Sequence, residues 1–385
     1  MHTTIYLDYM ATTPLDSNVL EAMLPYLQEL ELAGNSGSTH DLGIKALKAV
    51  ERAREQVSLL INAEPESIIF TSGATESLNL AIKGAAEFHQ RKGKHIITTQ
   101  VEHKAVLDTC QYLQQKNYEV TYLKPDSEGI ITAQQVAGAL RDDTILVAIM
   151  AVNNEIGTIY DIASIAACIE HHQAILVVDA AQAAGKIPLD CKAIPIDLLA
   201  ISGHKLYGPK GIGALYIRRK PRVRIAAQMH GGGQEQGLRS GTLPTHQIVG
   251  LGKACELARQ CLDSEPTFIA TLHEQFIQAF ADIPHIKING ATKARVPHNI
   301  NISLQGIDAE ALLAGLPRLA MSTTSACNSI VNQASYVLKA IGATDRDALS
   351  SIRISLGRYT TPAEVKIAAE QIAAEVIRLR KIAPR

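Results

Sequence analysis

Ile145-Leu-Val-Ala-Ile-Met-Ala-Val152 is apolar at every position, and the fold follows from that. A strand with one face in water alternates apolar and polar residues. One with no polar face is covered on both sides, as in a parallel sheet flanked by crossover helices. Outward from this run, between about residues 64 and 250, short β-branched runs alternate with longer segments of helical period, the pattern of parallel strands joined by helices. The expected strands are Ser67–Phe70, His95–Thr99, Glu119–Leu123, Ile145–Val152, Ile175–Asp179, Leu198–Ser202 and Gly213–Arg218. They predict an α/β fold with a large, mostly parallel, seven-stranded sheet.

After Leu251 the pattern changes. A long helical stretch runs to about Phe280, followed by a strand at Asn299–Ser303, another helix and a strand at Ser351–Ser355. A last helix, Pro362–Arg380, has Thr361 as its N-cap and proline at its first position. The reading is a large domain, 16–258, and a smaller α+β domain made of 1–15 and 259–385. No low-complexity linker separates them, so they are expected to pack together.

Composition removes several function classes. Among 385 residues, 37 Lys and Arg balance 38 Asp and Glu, so no bulk field holds nucleic acid or an anionic membrane. Hydrophobic content of 46% and charged content of 19% are those of a folded globular chain. The six cysteines, at 110, 168, 191, 255, 261 and 327, form no CxxC pair, which predicts reduced thiols rather than a metal site or disulfide framework. The N-terminal MHTTIYLDYMATTP has no basic region before an apolar run, and no stretch has the length of a membrane span. A cytoplasmic protein without direct nucleic-acid contact is expected.

Two phosphate signatures fail on spacing. The pairs Gly93-Lys94, Gly185-Lys186 and Gly252-Lys253 lack the preceding P-loop glycine, and Gly211-Ile-Gly213 lacks the third glycine of a dinucleotide site. Three other features converge. Thr71-Ser-Gly-Ala-Thr-Glu-Ser77 follows a strand and opens a helix, which puts Gly73, Ala74 and Thr75 where free N–H groups and the helix dipole hold an anion. Asp179 ends an apolar strand, with Gln182 three residues on, and Ser202-Gly-His-Lys205 ends the next. Each feature alone has an ordinary explanation, a capped helix, a capping aspartate or a surface lysine in a turn. Together they sit at one carboxyl edge, where ligands of open α/β sheets bind, and a lysine beside an anion site suits Schiff-base chemistry.

Nine ordered motifs then make the resemblance specific: Tyr6-Leu-Asp-Tyr-Met-Ala-Thr-Thr-Pro14, Thr71-Ser-Gly-Ala-Thr-Glu76, Glu102-His-Lys104, Asn153-Asn-Glu-Ile-Gly157, Val178-Asp-Ala-Ala-Gln182, Ser202-Gly-His-Lys-Leu-Tyr-Gly-Pro-Lys-Gly211, Arg239-Ser-Gly-Thr242, Ser325-Ala-Cys327 and Arg353-Ile-Ser-Leu-Gly-Arg358. Across nearly the whole chain they resemble the cysteine desulfurases of the housekeeping and nitrogen-fixation type. The resemblance implies a fold-type I enzyme dependent on pyridoxal 5′-phosphate (PLP) that converts L-cysteine to L-alanine. It implies that Lys205 carries the cofactor's aldehyde and takes the α-proton, that Asp179 pairs with the pyridine nitrogen, and that Gln182 bonds the ring oxygen. Asn154 fixes ring and substrate. Ala74, Thr75, Ser202 and His204 hold the phosphate, with Thr242 from the other subunit of a homodimer. His103 stacks on the ring and exchanges protons, Arg353 takes the substrate carboxylate, and the Cys327 thiolate receives the sulfur as a persulfide. The sulfur then passes to an acceptor protein, an iron–sulfur scaffold or a tRNA-thiolation relay, with transient iron–sulfur transfer through Cys327. Another fold-type I activity, selenocysteine lyase or aminotransferase, is the rival enzyme reading.

Three departures qualify the likeness. The family usually reads Ser-Ser-Gly-Ser-Ala-Cys-Thr around the nucleophile, whereas this chain has Ser322-Thr-Thr-Ser-Ala-Cys-Asn328. Threonine at 324 in place of glycine predicts a stiffer loop and slower sulfur delivery; unchanged persulfide formation and transfer in Thr324→Gly would refute it. Asn35-Ser-Gly-Ser-Thr-His40 lacks the family's proline, which predicts a less rigid loop. The sequence ends at Ala383-Pro-Arg385, where housekeeping relatives continue into a tail that helps dock the scaffold. The choice between scaffold and relay therefore stays open.

Overall fold

The structure is a computed structural model and describes residues 4–281, 283–323 and 334–382. Seven strands form one sheet in the order Ile68–Thr71, Gly213–Ile217, Leu198–Ser202, Ile175–Asp179, Thr144–Met150, His95–Thr99, Glu119–Leu123. Pairing is parallel from Leu198–Ser202 across to Glu119–Leu123, and Gly213–Ile217 runs antiparallel to both its neighbours. The all-apolar run behaves as its composition requires. Thr144–Met150 is buried throughout, with Leu146 and Ala148 in one hydrophobic core and Val147 and Ile149 in the other. Helices Ala74–His89 and Lys104–Gln114 cover the first face. Helices Asp41–Leu60, Ile162–Ile169 and Thr245–Gln260 cover the second.

A smaller antiparallel sheet follows, in the order Ser322–Thr323, Ser351–Ser355, Asn299–Leu304, Ile286–Ile288. It has its own core, in which Phe276, Ile302, Ile354 and Val376 meet Leu7 from the N-terminal segment. That segment is stitched in by parallel pairing of Ile5–Tyr6 with Leu319–Ala320 and by a bridge from Asp8 to Ser355. It then crosses to the large sheet, where Thr13 N–H donates to the His204 carbonyl at 2.9 Å. Val337, Leu338 and Ile341 pack into the core of the large sheet rather than that of the small one.

One expected element is corrected. The helical stretch to Phe280 is two helices, Thr245–Gln260 and Ser264–Ala279. Pro266 has no N–H, and its ring would clash with the carbonyl four residues back. The chain therefore restarts at Ser264, which places the proline in a first turn where no donor is needed. The final helix, Pro362–Ile382, begins with a reciprocal cap in which Glu364 N–H donates to Thr361 Oγ1 at 3.2 Å and Thr361 N–H donates to Glu364 Oε2 at 2.8 Å. In the loop that lacks the proline, Asn35 Oδ1 accepts Gly37 N–H at 2.9 Å and His40 Nδ1 accepts Gly43 N–H at 3.2 Å. No helix among the described residues is long and apolar enough to cross a membrane.

Candidate active site

A cavity of about 640 Å³ opens at the carboxyl ends of the large sheet and reaches the N-terminal segment and the small sheet. It gathers Ala74, Thr75, His103, Asn154, Asp179, Gln182, Ser202, His204, Lys205 and Arg353 from separate parts of the chain. Thr242 is exposed and lines no part of this cavity. Cys327 and Thr324 lie outside the described residues.

Lys205 ends the short helical turn Gly203–Lys205, just after strand Leu198–Ser202. Its Nζ donates to the carbonyls of Met10 and Ala11 at 2.5 and 2.7 Å. Asp179 ends the neighbouring strand, where Oδ1 accepts Ala181 N–H at 2.9 Å. Burial pushes its carboxyl up, opposed by the Ala181 N–H and by the positive charges of His103 and Lys205. Its second oxygen has no hydrogen-bond donor among the described residues. A cation placed against that oxygen would relieve the burial cost, which is the relation that a protonated pyridine nitrogen satisfies.

His103 is the N-cap of helix Lys104–Gln114, its Nδ1 accepting Ala105 N–H at 3.1 Å. That bond keeps the lone pair on Nδ1 and leaves Nε2 to carry the exchangeable proton. Burial lowers the imidazole pKa, as does Lys205, while Asp179 works against both.

At the other end lies an anion cradle. Helix Ala74–His89 begins after Gly73, whose φ of 151° suits glycine alone, and no side chain caps it. The first helical N–H groups therefore have no acceptor within the helix. Glu76, in the first turn, also lines the cavity, and its carboxylate is occupied by other donors. It accepts Ser72 N–H at 2.7 Å and Arg239 Nε at 2.8 Å. Ser202 and His204 add a hydroxyl and an imidazole. Burial, reinforced by Lys205, Lys210 and Lys186, brings the His204 pKa down to about 4, so the ring is neutral at pH 7 and can donate one N–H. Its Nδ1 lies 3.1 Å from Thr12 Oγ1.

Arg353, on the small sheet, donates from Nη1 to the Asn154 carbonyl at 3.0 Å and from Nη2 to Asp8 Oδ1 at 2.9 Å. Among the described residues its Nε and the Asn154 Oδ1 are buried without hydrogen-bond partners. Together the donor-rich cradle, the unsatisfied carboxylate and the lysine between them fit a phosphate-bearing aldehyde with a ring nitrogen. The residues present fit PLP.

A family model for class-V aminotransferases matches residues 5–367. The chain belongs to that family, among its cysteine desulfurases. It is 51% identical, over 100% of its length and 95% of the relative's, to the cysteine desulfurase IscS of Methylococcus capsulatus. Among solved structures it is similar to a NifS-like protein, at TM-score 0.91 and 35% identity, covering 98% of this chain and 100% of that one. It is also similar to SspA in complex with cysteine, at TM-score 0.82 and 38% identity, covering 93% of this chain and 100% of that one. Like other members, it is a PLP-dependent enzyme of fold type I.

The residues expected at the cofactor side line one cavity, while the groups that support them carry no motif of their own. Asp8 lies inside the first quoted motif without a role. Ser322, which donates to Asp8 Oδ2 at 2.7 Å, was noted only as the start of the nucleophile's loop. The Met10 and Ala11 carbonyls that hold Lys205 carry no signal in residue type, since any residue supplies a carbonyl. Lys186 follows a glycine at no P-loop spacing, yet it is buried against Gln182.

Proposed function

We propose that this chain desulfurates L-cysteine, releasing L-alanine and passing the sulfur through a persulfide on Cys327 to an acceptor protein. The observation that carries the reading is the juxtaposition of Lys205 with Asp179 on one side and the uncapped helix start at Gly73 on the other, within one cavity. Bound PLP supplies an electron-withdrawing ring that stabilises charge at the substrate's α-carbon. Lys205, once its nitrogen is released, is the base at that carbon, and His103 Nε2 exchanges a proton on the same site. Arg353 fixes the amino acid by its carboxylate, with the planar fork that a guanidinium offers. The Cys327 thiolate attacks the substrate sulfur. An S–S bond forms as the C–S bond breaks, and the electron pair left on carbon takes a proton to give alanine.

Ala74, Thr75, Ser202 and His204 hold the phosphate in this reading, Gln182 the ring oxygen, and Asn154 the ring and substrate. The exposure of Thr242 and its absence from this cavity support its use by a second copy, hence a homodimer. The separate cores of the two sheets support a division into a large domain, 16–258, and a small one of 1–15 plus 259–385 that carries the nucleophile, although Val337, Leu338 and Ile341 of the latter pack into the large core. Acceptor choice, iron–sulfur scaffold or tRNA-thiolation relay, is a surface property, and the setting is cytoplasmic.

The test is the visible spectrum of purified protein, then L-cysteine with a reductant, in wild type and Cys327→Ala. Bound cofactor in both, with equal sulfide and alanine only in the wild type, is the expected result. Pyruvate in place of alanine, or a chain that binds no PLP, would overturn it.

A further inference from the structure

Lys186 stands on no wall of the cavity, yet it is buried one turn after Gln182. Its Nζ donates to Gln182 Oε1 at 2.7 Å and faces Met10 Sδ at 3.8 Å. No carboxylate pairs with it among the described residues. Burying an ammonium without a counter-ion is costly, and burial, with Lys205 the next contributor, pulls the Lys186 pKa down to about 7. Gln182 is held at both ends: its Nε2 donates to the Met10 carbonyl at 2.8 Å, the same carbonyl that accepts from Lys205 Nζ at 2.5 Å.

An amide side chain can present either edge, and the two differ by a half-turn. The Met10 carbonyl can only accept, and the Lys186 amine, when protonated, can only donate, so the two together permit one choice only. We propose that Lys186 is a positioning residue for the cofactor: by donating to Gln182 Oε1 it turns the amide so that only N–H is offered to the cavity, where a ligand oxygen anion can accept it. The inference rests on the reading that this cavity holds PLP. Its chain of contacts, Lys186 to Gln182 to the Met10 carbonyl to Lys205, also places a second positive charge behind the amine that carries the aldehyde whenever Lys186 is protonated. With Lys186 absent, only the Met10 carbonyl still holds the amide, and whenever Gln182 turns its carbonyl to the cavity an oxygen faces an oxygen anion and repels it.

The experiment measures PLP binding by reconstituted protein and the pH midpoint of the bound cofactor's visible band in wild type, Lys186→Met, Gln182→Ala and the double variant. Lys186→Met is expected to raise the PLP dissociation constant about tenfold, or ~1.4 kcal/mol, and to move the midpoint. In the Gln182→Ala background the same substitution should change either quantity less than twofold, because the amide it orients is gone. A lysine with a merely structural role would weaken binding equally in both backgrounds, which would overturn the inference, as would Lys186→Met matching wild type in both readouts. A wild-type chain that takes up no PLP removes the functional reading and this inference together; a wild type that loads normally while Lys186→Met matches it removes this inference alone.

Discussion

Arg353 and Asp8 form a 2.9 Å ion pair that ties the small sheet to the N-terminal segment, and Asp8 spends its other oxygen on the Ser322 hydroxyl at 2.7 Å. The guanidinium is therefore oriented by the protein before any substrate arrives. Its Nε is buried and has no hydrogen-bond partner among the described residues.

That arrangement predicts a binding defect rather than a chemical one when the fork is lost. Lysine at this position keeps the charge but cannot make two parallel bonds. Arg353→Lys is expected to reduce kcat/KM for L-cysteine by about tenfold to a hundredfold, mostly through KM. Steady-state kinetics check it, and a fall confined to kcat would show that Arg353 acts on the chemistry instead.

The anion cradle depends on Gly73 adopting φ 151°. A Cβ there has room, since its nearest neighbour would be Ser202 Oγ at 3.8 Å, so the cost of alanine is conformational. Gly73→Ala should cost ~1 kcal/mol at the helix start and weaken PLP binding about fivefold. Equilibrium dialysis or fluorescence titration would read this; unchanged affinity would take the helix start out of the phosphate site.

Glu102 is fully buried beside His103. Burial, with Asp179 adding to it, pushes its carboxyl up to about 8 despite bonds from Met150 N–H and Thr99. In the unfolded chain it titrates near 4.5. Between these values the folded state keeps a proton that the unfolded state has released, so stability falls as pH rises through the window and levels off above it. Glu102→Gln should flatten this slope in urea midpoints measured from pH 5 to 8. A wild-type advantage that grows with pH would contradict the sign.

Glu235 is clamped by Arg54 at 2.8 and 2.9 Å and accepts Phe70 N–H at 2.6 Å, with the guanidinium 4.7 Å over the Phe70 ring. This cluster fixes the turn that leads to Arg239 and Thr242. Arg54→Met strands a buried carboxylate and should cost about 3–5 kcal/mol. Arg54→Met with Glu235→Leu should recover part of that loss, but not all, because Phe70 N–H is left without an acceptor. Urea denaturation of the two variants decides it.

Much of this was legible in residue types. A strand without a polar face has to be covered on both sides, so Ile145–Val152 implied the layered sheet, and strand ends bearing Asp179, Ser202 and Lys205 implied a site at one edge. The break between Gln260 and Ser264 is masked in the sequence because helical periodicity continues across it, although Pro266 signals a restart. Asp8, Met10 and Lys186 could not be placed from sequence because their work is done by partners 345, 195 and 176 residues away. The sequence by itself determined the chemistry available: an amine, a carboxylate, an anion cradle and a guanidinium, each set by its residue type and local turn. The tertiary structure alone decided which backbone carbonyls hold Lys205, which edge Gln182 presents and how Arg353 is aimed, because hydrogen bonds between distant segments exist only after the two sheets and the N-terminal segment have packed.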